Sequence, residues 1–431
     1  MLPMQSDNDP KIEEFAYQPR VVDAELAYRL ETVPAVLIEG PKACGKTATA
    51  RQQAASEVLL DVDANAQRAV GIDPRLVLAG DEPRLIDEWQ TAPEVWNHVR
   101  RAADTRRSTG RFILTGSAAP ADDTTRHSGA GRISRMRMRP MSLFELGVSS
   151  GEVSLDQILR SMPVAADAVD VTVPELTEIM CRGGWPGILD AGLEQALQFS
   201  RDYLDEVRRT EVYQMSGIRR DPNRLLRLMR SLARHVATPA PVTTLSRDTG
   251  GPEGPLRGDT VSAYLDALER LFVVEDQPAY STHLRARSRL RLSPKRHFVD
   301  PSLAVAALRS NPTRLLADLE MFGFLFESLV VRDLRIYAQA YDAEVYHYRD
   351  NTGLEADAII ETGEGRWMAV EVKLGTGDPI DAGAASLLKL RDRIDTSRIG
   401  EPAGLMVVTG TGYGYTRPDG VAVVPVTALG P

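Results

Sequence analysis

The chain has 431 residues, 43% of them apolar, and a formal charge of −9, so it is globular, too long for one core, and not an indiscriminate nucleic-acid binder. Two cysteines, Cys44 and Cys181, exclude a disulfide framework, and no clustered Cys/His spacing suggests structural zinc. No apolar run is long enough to span a membrane, and the opening MLPMQSDNDPKIEEF lacks the apolar core of a secretory signal, so the expected location is cytoplasmic.

Charge and residue choice are uneven along the chain. Between Arg201 and Asp300 there are 18 basic residues against 13 acidic ones, a basic middle in an acidic protein that permits a polyanion partner. Only six of the 51 basic residues are lysine: Lys11, Lys42, Lys46, Lys295, Lys373 and Lys389. Where arginine is the default, a retained lysine points to a need for a compact point charge or a titratable amine.

In chain order, AVLIEGPKACGKTATA reads as an apolar strand, a glycine-rich turn and a helix start. Gly40, Pro41, Lys42, Ala43, Cys44, Gly45, Lys46 and Thr47 fit the spacing G-x-x-x-x-G-K-[ST]. Backbone N–H groups of such a turn cradle the phosphates of ATP at a helix N-terminus. Lys46 would reach the β- and γ-phosphates and Thr47 would ligate Mg²⁺. PRLIDEWQ reads as a strand ending in Asp87 and Glu88, forty-one residues after Lys46. Asp87 would hold the magnesium through water, and Glu88 would orient or deprotonate the attacking water. RFILTGSAAP reads as a further strand, lying between the other two, with Thr115 preferred over Ser117 as the group that senses the γ-phosphate. SGAGRISRMRMRPMSLFELG sets Arg132, Arg135, Arg137 and Arg139 in alternation. Such a pattern makes one solvated strand face, or supplies an arginine finger, in cis or in trans, for which Arg132 is the best candidate.

After Gly147 the pattern turns helical. GGWPGIL closes a helical connector, Asp221-Pro222 opens an amphipathic helix over NRLLRLMRSLARHVA, and VTTLSRDTG reads as a short helix stopped by glycine. GDTVSAYLDALERLFVVEDQPAY then runs from helix into strand. Helix, helix, helix and hairpin make a winged-helix arrangement. Its helix after Thr260 would read DNA or RNA, and its wing would track phosphates through Arg285, Arg287, Arg289 and Arg291. Asp259, Asp266 and Glu269 on that helix fit protein docking equally well.

The last third runs as a long helix carrying Glu327, the strands AEVYHYRD, LEADAIIE and RWMAVEVKL, a helix over AASLLKLRDRI and a buried strand AGLMVVTG. Period-two alternation places Glu371 and Lys373 on one strand face with Val372 opposite. Asp357 on the adjacent strand would converge with Glu371 on a hard divalent cation such as Mg²⁺, and Lys373 would position a water or offset charge on a phosphate. A salt-bridged solvated edge is the plain alternative.

The chain resembles bacterial and archaeal AAA-type ATPases whose P-loop domain precedes a C-terminal domain of uncharacterised function. The resemblance rests on YQPR, GPKACGKT, LIDEWQ, ILTGSA, GRI, RPMSLFELG, GGWPGIL, FVDPSLAVAAL, LFESLVVRDLR, YRDNTGLEADAII and VEVKLG. It implies that Asp87 and Glu88 form the Walker B pair, with Trp89 where the family usually has Ile or Val. The last third is similar to the PD-(D/E)xK nuclease-like fold, which adds Glu327 to the metal shell. The expected fold class is α/β. Residues 1–150 would form an AAA-type P-loop ATPase domain, 151–212 a helical connector and 213–312 a winged-helix-like domain. Residues 313–431 would form a restriction-endonuclease-like domain. The leading functional expectation is an Mg²⁺-dependent ATPase coupled to a nucleic-acid-directed, nuclease-like module, with a second copy of the chain as a candidate partner toward which Arg132 would act in trans. The alternative is a nucleotide-switched signalling or scaffold protein with an inactive nuclease-like domain.

Overall fold

The apolar run of β1 (Ala35–Glu39) is continuous because both of its faces are covered. Ala35 and Leu37 enter one core with Ile86 and Leu114, while Val36 and Ile38 enter another with Leu85 and Ile113. The computed structural model describes residues 16–105, 108–118, 128–168, 171–212, 221–250, 254–281 and 293–431. β2 (Ser56–Leu59), β3 (Arg84–Asp87), β4 (Phe112–Gly116) and β5 (Ile133–Arg137) join β1 in a parallel sheet of order β2-β3-β4-β1-β5. Helices α1 (Val22–Thr32), α2 (Lys46–Arg51), α3 (Ala64–Ile72) and α4 (Val95–Thr105) alternate with the strands. The strand carrying Thr115 therefore separates the P-loop strand from the Asp87 strand, as the sequence led one to expect.

The segment that follows is less purely helical than its composition suggests. β6 (Val153–Ser154), α5 (Leu155–Leu159) and β7 (Ala165–Ala166) precede α6 (Val173–Arg182) and α7 (Leu193–Glu206). β7 joins the C-terminal sheet through β14 (Gly414–Thr416), and β6 pairs with β16 (Leu429–Gly430). Two-residue strands carry no periodicity, so this return of the connector onto the last third had no sequence signal.

The middle has the expected order of elements: α8 (Pro222–Arg234), α9 (Val242–Asp248), α10 (Gly258–Arg270), then the antiparallel pair β8 (Val274–Gln277) and β9 (Lys295–Phe298). Asp221 caps α8 by accepting from the Asn223 N–H at 2.8 Å, with Pro222 in the first turn, where it needs no N–H partner. The proposed wing arginines Arg285, Arg287, Arg289 and Arg291 lie outside the described residues.

The last third contains α11 (Pro301–Ala307), α12 (Pro312–Leu316) and α13 (Leu319–Gln339), followed by β10 (Ala343–Arg349), β11 (Glu355–Thr362) and β12 (Trp367–Lys373). α14 (Asp378–Arg393), α15 (Thr396–Ile399), β13 (Gly404–Thr409), β14 and β15 (Ala422–Pro425) complete it. The sheet order is β10-β11-β12-β13-β15-β14-β7, with β10, β11 and β12 antiparallel and β12 parallel to β13. α13 is buried on all sides from Leu325 to Ala338, not along one stripe. Its interior charges survive by pairing: Arg332, 3% exposed, donates to Asp300 at 2.8 Å and to Asp333 at 2.8 Å.

Candidate functional site

Residues at the C-terminal ends of the parallel strands build the first site. Gly40 leaves β1 where a Cβ would lie 2.1 Å from the Met138 carbonyl oxygen, so only glycine lets the turn pass so close. Gly45, with φ of 101°, is in the left-handed region and turns the backbone into α2. The Lys46 side chain is folded over the turn, its Nζ donating to the Pro41 carbonyl at 2.8 Å. Thr47 Oγ1 donates to Asp87 Oδ1 at 2.8 Å, and Thr115 Oγ1 donates to the same oxygen. Two hydroxyls from different elements thus meet on one carboxylate at the strand ends.

Glu88 stands beside them with φ of 50°, a left-handed conformation that costs a non-glycine residue of order 1–3 kcal/mol and is concentrated at functional sites. Its N–H donates to Thr115 Oγ1 at 3.2 Å, and its Oε2 accepts from Ser117 at 3.0 Å and from Gln90. Ser117, which the sequence reading passed over for Thr115, and Gln90, which it did not consider, are the groups that orient this carboxylate. Thr115 instead links Asp87 to the Glu88 backbone.

Arg20, which closes the YQPR stretch, is built into the P-loop. Its Nη1 donates to the Cys44 carbonyl at 2.9 Å and its Nη2 to the Arg139 carbonyl at 2.8 Å, while its Nε pairs with buried Glu145 at 3.0 Å. Arg139 in turn meets Glu275 at 3.0 Å, and Arg335 of α13 meets the same carboxylate at 3.0 Å. Burial works against the Glu275 charge, but Arg139, Arg335 and Arg137 outweigh it and hold the carboxyl below its ordinary range.

The placement of Arg132 answers half of the expectation made for it. β5 runs parallel to β1, and Arg132 lies before β5, its carbonyl accepting from the Ala35 N–H at 3.2 Å. The P-loop leaves the opposite end of β1. An intramolecular finger does not fit that geometry, because a strand rises about 3.3 Å per residue and the whole of β1 intervenes. The half-exposed Arg132 side chain pairs with Asp104 at 2.8 Å.

The C-terminal residues do converge. Asp357 Oδ2 accepts from the Val372 N–H at 2.8 Å, Lys373 Nζ donates to Glu371 Oε2 at 2.5 Å, and Lys373 lies 3.9 Å from Asp357. Ser386 of α14 donates to Glu371 Oε1 at 3.2 Å. Lys295, from β9 outside this sheet, donates to Glu327 Oε1 at 2.6 Å and to Asp357 Oδ1 at 3.4 Å. Burial works against the Lys295 charge, but Glu327 and Asp357 outweigh it and hold the amine above its ordinary value. Burial and the Asp357 charge push Glu327 up to about 8 and Glu371 up to about 7. Glu327 and Glu371 thus hold a proton more readily than ordinary carboxyls do.

The donor set does not fit a metal in this arrangement. Among the described residues no group of three or more His, Cys, Asp or Glu side chains is placed to hold a metal ion. Around Glu327, Asp357 and Glu371 the cationic positions are filled by two lysines. The sequence reading missed Lys295, although its presence among six lysines was the available signal.

Residues 32–147 match the family described as AAA domain, 173–314 a domain of unknown function (DUF8612) and 322–429 another (DUF4143). The chain is 25% identical over 355 residues to the uncharacterised proteins Rv2008c of Mycobacterium tuberculosis and Mb2031c of Mycobacterium bovis, covering 81% of this chain and 72% of each of theirs. A Walker-type ATPase of Pyrococcus abyssi is similar with a TM-score of 0.41 at 13% identity, over 70% of this chain and 99% of that one. The N-terminal domain is of the P-loop ATPase type. Among the described residues no helix is long and apolar enough to cross a membrane.

Proposed function

We propose that the protein is an Mg²⁺-dependent ATPase whose nucleotide state is read by its middle and C-terminal domains. The meeting of Thr47 and Thr115 on Asp87, with Glu88 alongside, carries this reading. Thr47 and Asp87 are the groups that would hold the magnesium of Mg·ATP, which neutralises charge on the phosphate oxygens. Lys46 would leave the Pro41 carbonyl for the phosphates. Glu88, oriented by Ser117 and Gln90, would accept the proton of the attacking water. Arg132 would serve the γ-phosphate of a neighbouring copy.

Phosphate release from Mg·ATP by the purified chain tests the assignment. Lys46→Ala is expected to weaken ATP binding about 10- to 100-fold, the worth of a charge-assisted hydrogen bond. Unaltered binding in that variant would remove the P-loop assignment.

The contacts running from Cys44 through Arg20 and Arg139 to Glu275 and Arg335 favour a route by which the P-loop biases α13. The order helix, three antiparallel strands, helix, parallel strand supports a nuclease-like fold for the last third, and the order of α8 to β9 supports a winged helix. The lysine pairing of the carboxylates favours a nucleotide-switched role in which the C-terminal domain does not cleave. With Mg²⁺ and either DNA or RNA, the wild-type chain is expected to yield no cut product while ATP hydrolysis continues. Cleavage abolished by Lys373→Ala would reverse that part of the reading.

A further inference from the structure

Lys295 belongs to the β8–β9 pair, yet its ammonium lies within the carboxylate cluster of the neighbouring domain, 2.6 Å from Glu327 and 3.4 Å from Asp357. This is an imposed position. Lys295 is 4% exposed, and its strand pair is pinned by two buried polar groups, Gln277 and His297. Gln277, opposite Lys295 in the pair, donates to the carbonyls of Tyr346 and Asp357 at 2.9 Å each. His297, two residues on, meets Ser328 of α13 at 3.1 Å and the Gln277 amide oxygen at 3.0 Å. Lys295 thus joins the carboxylates of a helix and a strand, Glu327 and Asp357, beside the path that runs from Ser328 through His297 and Gln277 to the Asp357 carbonyl.

We propose that Lys295 is a tethered cation that takes the place of a divalent metal between Glu327 and Asp357, so that the chain in this conformation keeps the cluster closed to Mg²⁺. A metal brought among these oxygens would face two fixed ammonium groups, Lys295 and Lys373, at contact range, and it would have to displace one of them. Removing the Lys295 amine leaves three carboxylates around one lysine. The same oxygens then have both the charge and the vacancy that a hard divalent cation requires. The inference rests on the reading of the C-terminal cluster and is independent of the ATPase assignment.

Mn²⁺ titration followed by electron paramagnetic resonance, on the full chain without nucleotide, tests it. An Asp87→Asn background silences the P-loop site. The parent is expected to bind no Mn²⁺ that Glu371→Gln removes. Adding Lys295→Met is expected to create one site per chain, at least about tenfold tighter than any in the parent and lost again with Glu371→Gln. Lys295→Met also strips a buried cation from its partners, so its thermal midpoint is expected to fall and to recover as Mn²⁺ is added. The parent midpoint is expected to stay level under the same titration. A Glu371-dependent Mn²⁺ site in the parent would overturn the proposal. So would a Lys295→Met chain, folded or unfolded, that neither binds Mn²⁺ nor regains stability with it.

Discussion

Replacing Glu88 with glutamine is expected to lower ATP turnover by about two to four orders of magnitude while ATP binding stays intact, the effect of removing a general base. The substitution keeps the side-chain shape, so the contacts that orient Glu88 persist in part: Ser117 still has an oxygen to donate to. The amide cannot take a proton. Lys46, Thr47 and Asp87, the groups assigned to phosphates and magnesium, do not contact the Glu88 side chain through any hydrogen bond described above, so affinity has no reason to change. Steady-state phosphate release gives the first quantity and direct nucleotide binding the second. Turnover that survives in Glu88→Gln would move the base to another residue; turnover and binding lost together would point to a structural role for the strained Glu88 backbone.

The second large effect is expected far from either site. Arg332→Ala should destabilise the chain by about 3–5 kcal/mol, the cost of leaving buried charges without their partner. Asp300 and Asp333 are both fully buried, and each holds another segment as well as the guanidinium. Asp333 accepts from the Leu143 N–H at 3.0 Å, at the end of the ATPase domain, and Asp300 accepts from the Gly184 N–H at 3.0 Å in the connector. One arginine therefore fastens four stretches of chain, and its removal should loosen them together. Denaturant unfolding and amide exchange at α13 measure this. A loss below about 1 kcal/mol would mean that the carboxylates find protons or other donors when the arginine is gone.

The legibility of this protein differs between its two sites for a physical reason. The P-loop was readable because its chemistry is local: eight consecutive residues make the phosphate cradle, and glycine is demanded by backbone approach at Gly40 and by φ at Gly45. Asp87, Glu88 and Thr115 were readable as polar residues closing apolar strands, since both faces of a parallel sheet are buried and only its ends are free for polar groups. The shared strand face of Glu371 and Lys373 followed from period-two alternation, and their place in a candidate site from the resemblance of the last third to a nuclease-like fold. Arg20, Gln90, Ser117 and Lys295 act through contacts with residues distant in sequence or through turn geometry, and no spacing rule reaches them. Arg132 shows the converse. Its motif was visible, but the strand direction that removes it from its own γ-phosphate is a property of the sheet.

By itself, then, the amino-acid order determined the longer strands and helices, the phosphate-binding turn and the carboxylates that end the strands, because these depend on neighbours within a few residues. Tertiary structure decided which charges meet. It brought Lys295 from the middle domain between Glu327 and Asp357, set Arg20 against the P-loop, and folded β7 from the connector onto the C-terminal sheet. Burial makes each of those meetings matter, since a charge taken out of water must find its counter-charge wherever the chain can supply one.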